Sequence, residues 1–194
     1  MTIAVRKVTT GDEILAFDIP AQLVDGSTKY KQLWISGWKP TLTSGCGLSA
    51  QLALATNKNV LDYLPFDAST IEYAYVDVPM PADYTGGTVL AKFYWTHPTT
   101  STNFKVSWGL QGVAFGDDDA LDAAFGTAQY ANDTGGTTND LYISDMTSAI
   151  TIAGSPAAGK LVNWRVLRKA DDATNDTLAV DAYLIGVMIF YPVE

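Results

Sequence analysis

Apolar and polar positions alternate with a period of two along much of this chain, the pattern of strands that bury one face. Turn-forming residues interrupt the alternation about every 8–15 positions, the spacing of a sandwich or barrel. The pattern predicts strands over residues 71–78, 88–96, 104–115, 161–168 and 177–191, with shorter ones over 33–36, 48–55, 141–144 and 149–153. In the strand from 161, Val162, Trp164 and Val166 share one face, and Asn163, Arg165 and Arg168 are placed off it. In the strand from 71, Ile71, Tyr73 and Tyr75 oppose Glu72 and Ala74.

From Leu184 onward, apart from Gly186, the last predicted strand is apolar on both sides, although Asp181 interrupts the second face before that point. Leu178, Val180, Ala182, Leu184, Met188 and Phe190 fall on one face; Tyr183, Ile185, Val187, Ile189 and Tyr191 fall on the other. One face meets the core and the second needs another cover, because a single large exposed apolar patch is unusual on a monomer. Tyr183, Ile185, Val187, Ile189 and Tyr191 are therefore expected at an oligomer interface, with the N-terminal segment as the other possible cover.

The separators carry turn chemistry. Residues 83–87 place two glycines before a strand, 97–103 hold Pro98 in a polar loop, and 132–140 form a second polar loop. Residues 155–159 read as a tight turn, and 171–176 as an exposed hairpin tip. One short helix is expected: Asp118 or Asp119 caps Ala120 to Phe125, and Gly126 stands where a terminating glycine belongs.

Residues 1–40 differ from the rest. Turn signals and Pro20 and Pro40 break them up, yet they carry Ile14, Phe17, Leu33, Trp34 and Trp38. Scattered apolar anchors between polar breaks suit an arm that orders against a partner. The chain is accordingly divided into a docking arm, 1–40, and a β-sandwich domain, 41–194, although two further strands of one domain would also satisfy residues 1–45.

Composition narrows the partners. The 194 residues are 47% hydrophobic and 17% charged, with net charge -9. Phosphate binding needs a basic patch, so nucleic acid and anionic membrane surfaces are disfavoured. A single cysteine, Cys46, leaves no intramolecular disulfide. The first eight residues lack the apolar stretch of a signal peptide, and no run approaches the roughly 18 apolar residues of a membrane span. Synthesis in a cytoplasm is the expectation.

Candidate chemistry is sparse. His97, the only histidine, precedes Pro98 and reads as a solvated loop residue. Cys46, between glycines, reads as a small packing residue rather than a nucleophile. Asp117, Asp118 and Asp119 lack the alternating ligand pattern of a calcium loop, so capping explains them and no metal or other cofactor is expected. Trp95, Trp108 and Trp164 are in phase with apolar neighbours and belong to the core, whereas Trp34 and Trp38 suit anchors that fill a partner's pocket. No carboxylate pair or nucleophile elbow marks an enzyme.

Five stretches, 66–75, 86–96, 117–128, 149–154 and 176–188, together resemble a family of small tailed-phage virion structural proteins with a jelly-roll body. The resemblance covers about residues 40–192. It implies an all-β antiparallel jelly-roll sandwich, bearing the extended arm and short helix already inferred, and a virion structural role without catalytic residues. The first functional expectation is capsid decoration, or cement: a dimer or trimer clamping neighbouring copies of the major capsid protein through the arm. The alternative is a tail fibre or head-spike component that binds host-surface glycans through loops 97–103 and 132–140.

Overall fold

The computed structural model describes residues 28–98 and 104–194. Eleven strands are present among them: β1 (Lys29–Ile35), β2 (Lys39–Pro40), β3 (Ala50–Ala53), β4 (Val60–Phe66), β5 (Glu72–Pro79), β6 (Leu90–Thr96), β7 (Phe104–Phe115), β8 (Gln129–Gly135), β9 (Tyr142–Ile143), β10 (Leu161–Arg168) and β11 (Ala182–Val193). They form two antiparallel sheets. The first runs β3-β4-β11-β6-β9, with β1 also on β11; the second runs β2-β5-β10-β7-β8. The segments β4-β11-β6-β9 and β5-β10-β7-β8 have the strand order of a jelly roll, as expected.

Alternation explains the packing. Val162, Trp164 and Val166 of β10 are wholly buried against Leu110, Val106 and Trp108 of β7 and Phe93 and Trp95 of β6. Trp95, Trp108 and Trp164 are fully buried, and Trp108 meets Phe66 edge-on at 5.1 Å. In β5 the inward residues are Ala74, Val76 and Val78; Tyr73 and Tyr75 therefore face outward. Arg168 is in step with Val162, Trp164 and Val166 and points inward, not off their face as the sequence reading placed it.

Burial of Arg168 is tolerated because every donor finds an acceptor. Its guanidinium holds Asp176 through Nε at 3.0 Å and Nη2 at 2.8 Å, and donates to the carbonyls of Phe66, Val180 and Leu178. Ser107 N–H donates at 3.1 Å to the same Asp176 oxygen that accepts from Nε. The bend at 171–176 is thereby tied into the sandwich wall, and it joins strands of different sheets rather than closing a hairpin.

Several expectations need correction. No helix is present among the described residues. Asp119 Oδ2 accepts from Gly116 N–H at 2.6 Å and meets Lys160 Nζ at 3.4 Å, so the carboxylate closes a turn behind it rather than capping a helix ahead. Gly126 donates to Gly112 O at 3.1 Å, and any side chain there would strike Thr151 O, so this glycine serves close contact with the 149–153 segment. His97 is buried, not solvated: it continues the inward phase of Trp95 and packs edge-on against Phe104 at 4.6 Å. β4 and β8 went unpredicted because Asp62 and Pro65, and the polar run from Asn132 to Thr134, mask their alternation. The segment 149–153 forms only isolated bridges, Val89 to Ile150 and Val113 to Ala153.

The boundary at residue 40 falls inside the sandwich. β1 pairs with β11 over seven positions, from Lys29 opposite Val193 to Ile35 opposite Val187, and β2 pairs with β5. Ile14 and Phe17 lie outside the described residues, as does most of the expected arm.

Candidate functional site: an aromatic seam on the first sheet

β11 carries the site. Along one edge it meets β1 at residues 187–193 and β4 at residues 182–184, which leaves Ile185 and Gly186 unpaired on that side. A bulge between Leu184 and Gly186 shifts the register against β6. One extra residue reverses the phase of everything after it. Ala182 and Leu184 face the core before the bulge; Val187, Ile189 and Tyr191 face it afterwards. The five residues expected on one outer face are therefore split. Tyr183 lies on the outer face and Ile185 at the bulge, while Val187, Ile189 and Tyr191 are interior, which removes them from any subunit interface of the folded domain.

The bulge places aromatic side chains beside the gap. Trp34 lies over Gly186, where any Cβ would collide with the indole, and meets Tyr94 edge-on at 5.0 Å. Trp34 remains 42% exposed, and Ile143, opposite Tyr94 on β9, is 46% exposed. Tyr63 of β4 stacks on Tyr183 at 4.0 Å. Burial, and then a hydrogen bond with Tyr63, push the Tyr183 hydroxyl up to about 12, so it stays protonated and able to donate.

Trp38 closes the inner wall. It is buried, its Nε1 donating to Ile35 O at 3.2 Å. Together with Ser36, Ser49, Asp62, Tyr63 and Ile185 it lines an open cavity of about 280 Å³ at the gap. The cavity joins ring surfaces to hydroxyl and carboxylate groups and to an unpaired stretch of strand edge. That arrangement can seat an apolar side chain of a partner and satisfy the polar backbone beside it.

Four sequence-nominated residues thus converge: Trp34, Trp38, Tyr183 and Ile185. Leu33 is half-buried and packs on the core opposite Ile189, so it belongs to the domain rather than to a docking arm. Tyr63, Tyr94 and Ile143 were missed; their aromatic or β-branched character was visible, but their place beside Trp34 depends on strand order.

Other nominated chemistry is confined. Burial, followed by the charge of Glu72, pushes the Cys46 thiol up to about 12, which suppresses the nucleophilic thiolate. Among the described residues, no group of three or more His, Cys, Asp or Glu side chains could hold a metal ion, and no helix is long and apolar enough to cross a membrane.

No family model matches the chain, and no curated protein matches it. Solved structures with a similar course of chain include the CBM22-2 xylan-binding domain of Xyn10C from Paenibacillus barcinonensis, at 13% identity and a TM-score of 0.44, covering 81% of this chain and 92% of that one. A non-crystalline cellulose-specific carbohydrate-binding module, CBM28, aligns at 13% identity and a TM-score of 0.41, covering 81% and 86%. The family 11 carbohydrate-binding module from Clostridium thermocellum, solved with a mixed-linked tetrasaccharide, aligns at 6% identity and a TM-score of 0.38, covering 88% and 94%.

Proposed function

We propose that this chain is a non-enzymatic structural protein of a tailed-phage virion that decorates the capsid. The sandwich is the rigid body, and the seam around Trp34 is its contact with the major capsid protein. Residues before β1 extend that contact along neighbouring subunits, and copies of the chain associate as dimers or trimers on the shell. The protein is made in a host cytoplasm and ends in the particle.

The observation that carries this reading is the convergence of exposed Trp34 and Ile143 with the stacked Tyr63 and Tyr183 on one outer sheet face, beside an open cavity at the gap in the β11 edge. Aromatic anchors beside a pocket are where binding energy concentrates, and a surrounding ring of weaker contacts excludes water from them. Many identical weak contacts across a shell multiply into firm attachment. The net charge of -9 argues against direct contact with packaged nucleic acid.

Co-sedimentation with purified shells that lack the protein tests the reading. Wild type pellets with the shells, and Trp34→Ala lowers affinity by roughly 30-fold, as expected for the loss of a central tryptophan. Equal pelleting of the two proteins, or no pelleting of either, contradicts it.

A further inference from the structure

The second sheet carries a separate feature on its own outer face. Between β10, β5 and β7 on one side and the segment 121–125 on the other lies a slot of about 380 Å³. This volume lies within the range of roughly 300–1,000 Å³ found for small-molecule sites. Its walls are apolar: Val113 and Phe115 from β7, Leu161 from β10, and Leu121 and Phe125 from the crossing segment. Leu121 is 77% exposed and Leu161 41% exposed, so the opening is greasy on both sides.

A polar pair sits in the same slot. Asn163 Nδ2 donates to Asp77 Oδ1 at 2.7 Å. Beside that bond, the amide oxygen of Asn163 and the second carboxylate oxygen of Asp77 remain acceptors. Neither has a hydrogen-bond partner among the described residues. Tyr75 lies two positions from Asp77 on the same outward face of β5, about 7 Å along the strand.

The cation that packs on the slot wall, Arg165, is already committed, and Lys160 beyond Phe115 is paired with Asp119. The Arg165 guanidinium lies over the ring of Phe125 at 4.1 Å and over Tyr73 at 4.8 Å. With the Gln111 amide in its hydrogen-bonding orientation, Arg165 donates to the Gln111 oxygen through Nε and Nη2 at 2.6 Å. Arg165 therefore braces Phe125, the slot wall, and is not offered to an anionic ligand. The Asp77 carboxylate repels one.

Strand pairing excludes a further class of occupant. β10 is bonded on both edges, to β5 and to β7, so the floor presents side chains and no open backbone edge. An extended peptide could not add to the sheet here. The occupant must be recognised by apolar walls and paired acceptors alone. A neutral sugar meets those demands, because its C–H faces pack on apolar and aromatic walls while adjacent hydroxyls donate to paired acceptors.

We propose that this slot is a binding site for a neutral glycan, with Asp77 and Asn163 accepting from vicinal hydroxyls and Leu121, Leu161 and Phe125 packing on the ring. It lies on the sheet opposite the seam, so it stands whether or not the chain decorates a capsid.

The test is a printed glycan array of neutral and sialylated oligosaccharides, probed with wild type, Asp77→Ala/Asn163→Ala and Trp34→Ala. Near-UV circular dichroism and thermal melting verify that each variant keeps the native fold. Wild type and Trp34→Ala bind one or more neutral glycans, and the double variant loses at least about tenfold in affinity, the effect of losing hydrogen bonds to a charged acceptor. Leu121→Asp, an exposed change, gives the same loss without touching the acceptors. Binding confined to sialylated glycans, binding undiminished in both slot variants, or no glycan bound above the double-variant signal overturns the proposal.

Discussion

Arg168 and Asp176 form a bidentate ion pair in which both side chains are almost wholly sealed from solvent, at 2.8 Å through Nη2. The pair occupies a place in the sandwich where Val162, Trp164 and Val166 would set an apolar precedent. Its value is topological. One guanidinium ties carbonyls of β4 and of the approach to β11 to a carboxylate that also accepts from β7.

Breaking this pair from either side is expected to be costly. Arg168→Leu leaves a buried carboxylate and three carbonyls without their donor, and Asp176→Ala leaves a buried cation. Each should destabilise by about 3–5 kcal/mol, lowering the melting temperature by roughly 10 °C for a domain of this size. Thermal melting followed by circular dichroism checks it. A change of one or two degrees would mean that water relieves the site.

Gly186 is expected to be intolerant of any side chain. A methyl group there must displace Trp34 or bend β11, and such overpacking costs about 1–3 kcal/mol. Gly186→Ala should therefore melt lower than wild type and expose the Trp34 indole. Red-shifted tryptophan emission that disappears in Gly186→Ala/Trp34→Phe would assign the effect to this contact. An unshifted spectrum with unchanged melting would deny the contact.

A carboxylate group near the β4–β5 turn sets a pH dependence. Partial desolvation raises the Asp181 carboxyl above its usual range, helped by repulsion from Asp67, and desolvation also raises Glu72. Hydrogen bonds from Ser69 hold Asp67 down at about 2. A carboxyl raised on folding binds its proton more tightly in the native state. Ionised Asp181 therefore costs stability above its folded pKa, and that cost vanishes as pH falls below the unfolded value of 3.8. Asp67 acts with the opposite sign: its contribution is present above 3.8 and is lost as pH falls through about 2. Asp181→Asn should raise the melting temperature slightly at pH 7, with the gain fading at pH 3.5. Asp181 is largely exposed, so solvent screening keeps the gain small. A gain that grows on acidification would reverse the sign.

The sequence and the structure agree where strands are long and strictly alternating. Val162, Trp164 and Val166, and the burial of Trp95 and Trp108, followed from period two alone, because a register error would turn the whole apolar set to solvent. The seam was only half legible. Trp34, Trp38, Tyr183 and Ile185 stood out as large side chains lacking an evident local partner. Val187, Ile189 and Tyr191 were assigned to the wrong face because a bulge adds one residue without a composition signal. Ala120 to Phe125 has helical composition, yet two turns of helix are marginal in isolation, and here Phe125 covers Arg165 instead. His97 seemed polar in a polar loop, while its phase with Trp95 was the signal that decided its burial.

Capsid decoration, as proposed, requires the seam around Trp34 to face the shell. Cryo-electron microscopy of shells saturated with the protein measures this directly. Sandwich-shaped density is expected at junctions between capsid subunits, with Trp34, Ile143 and the Tyr63–Tyr183 stack turned toward the shell. Density confined to the tail or fibres, or a sandwich seated on the shell with this seam open to solvent, would contradict it.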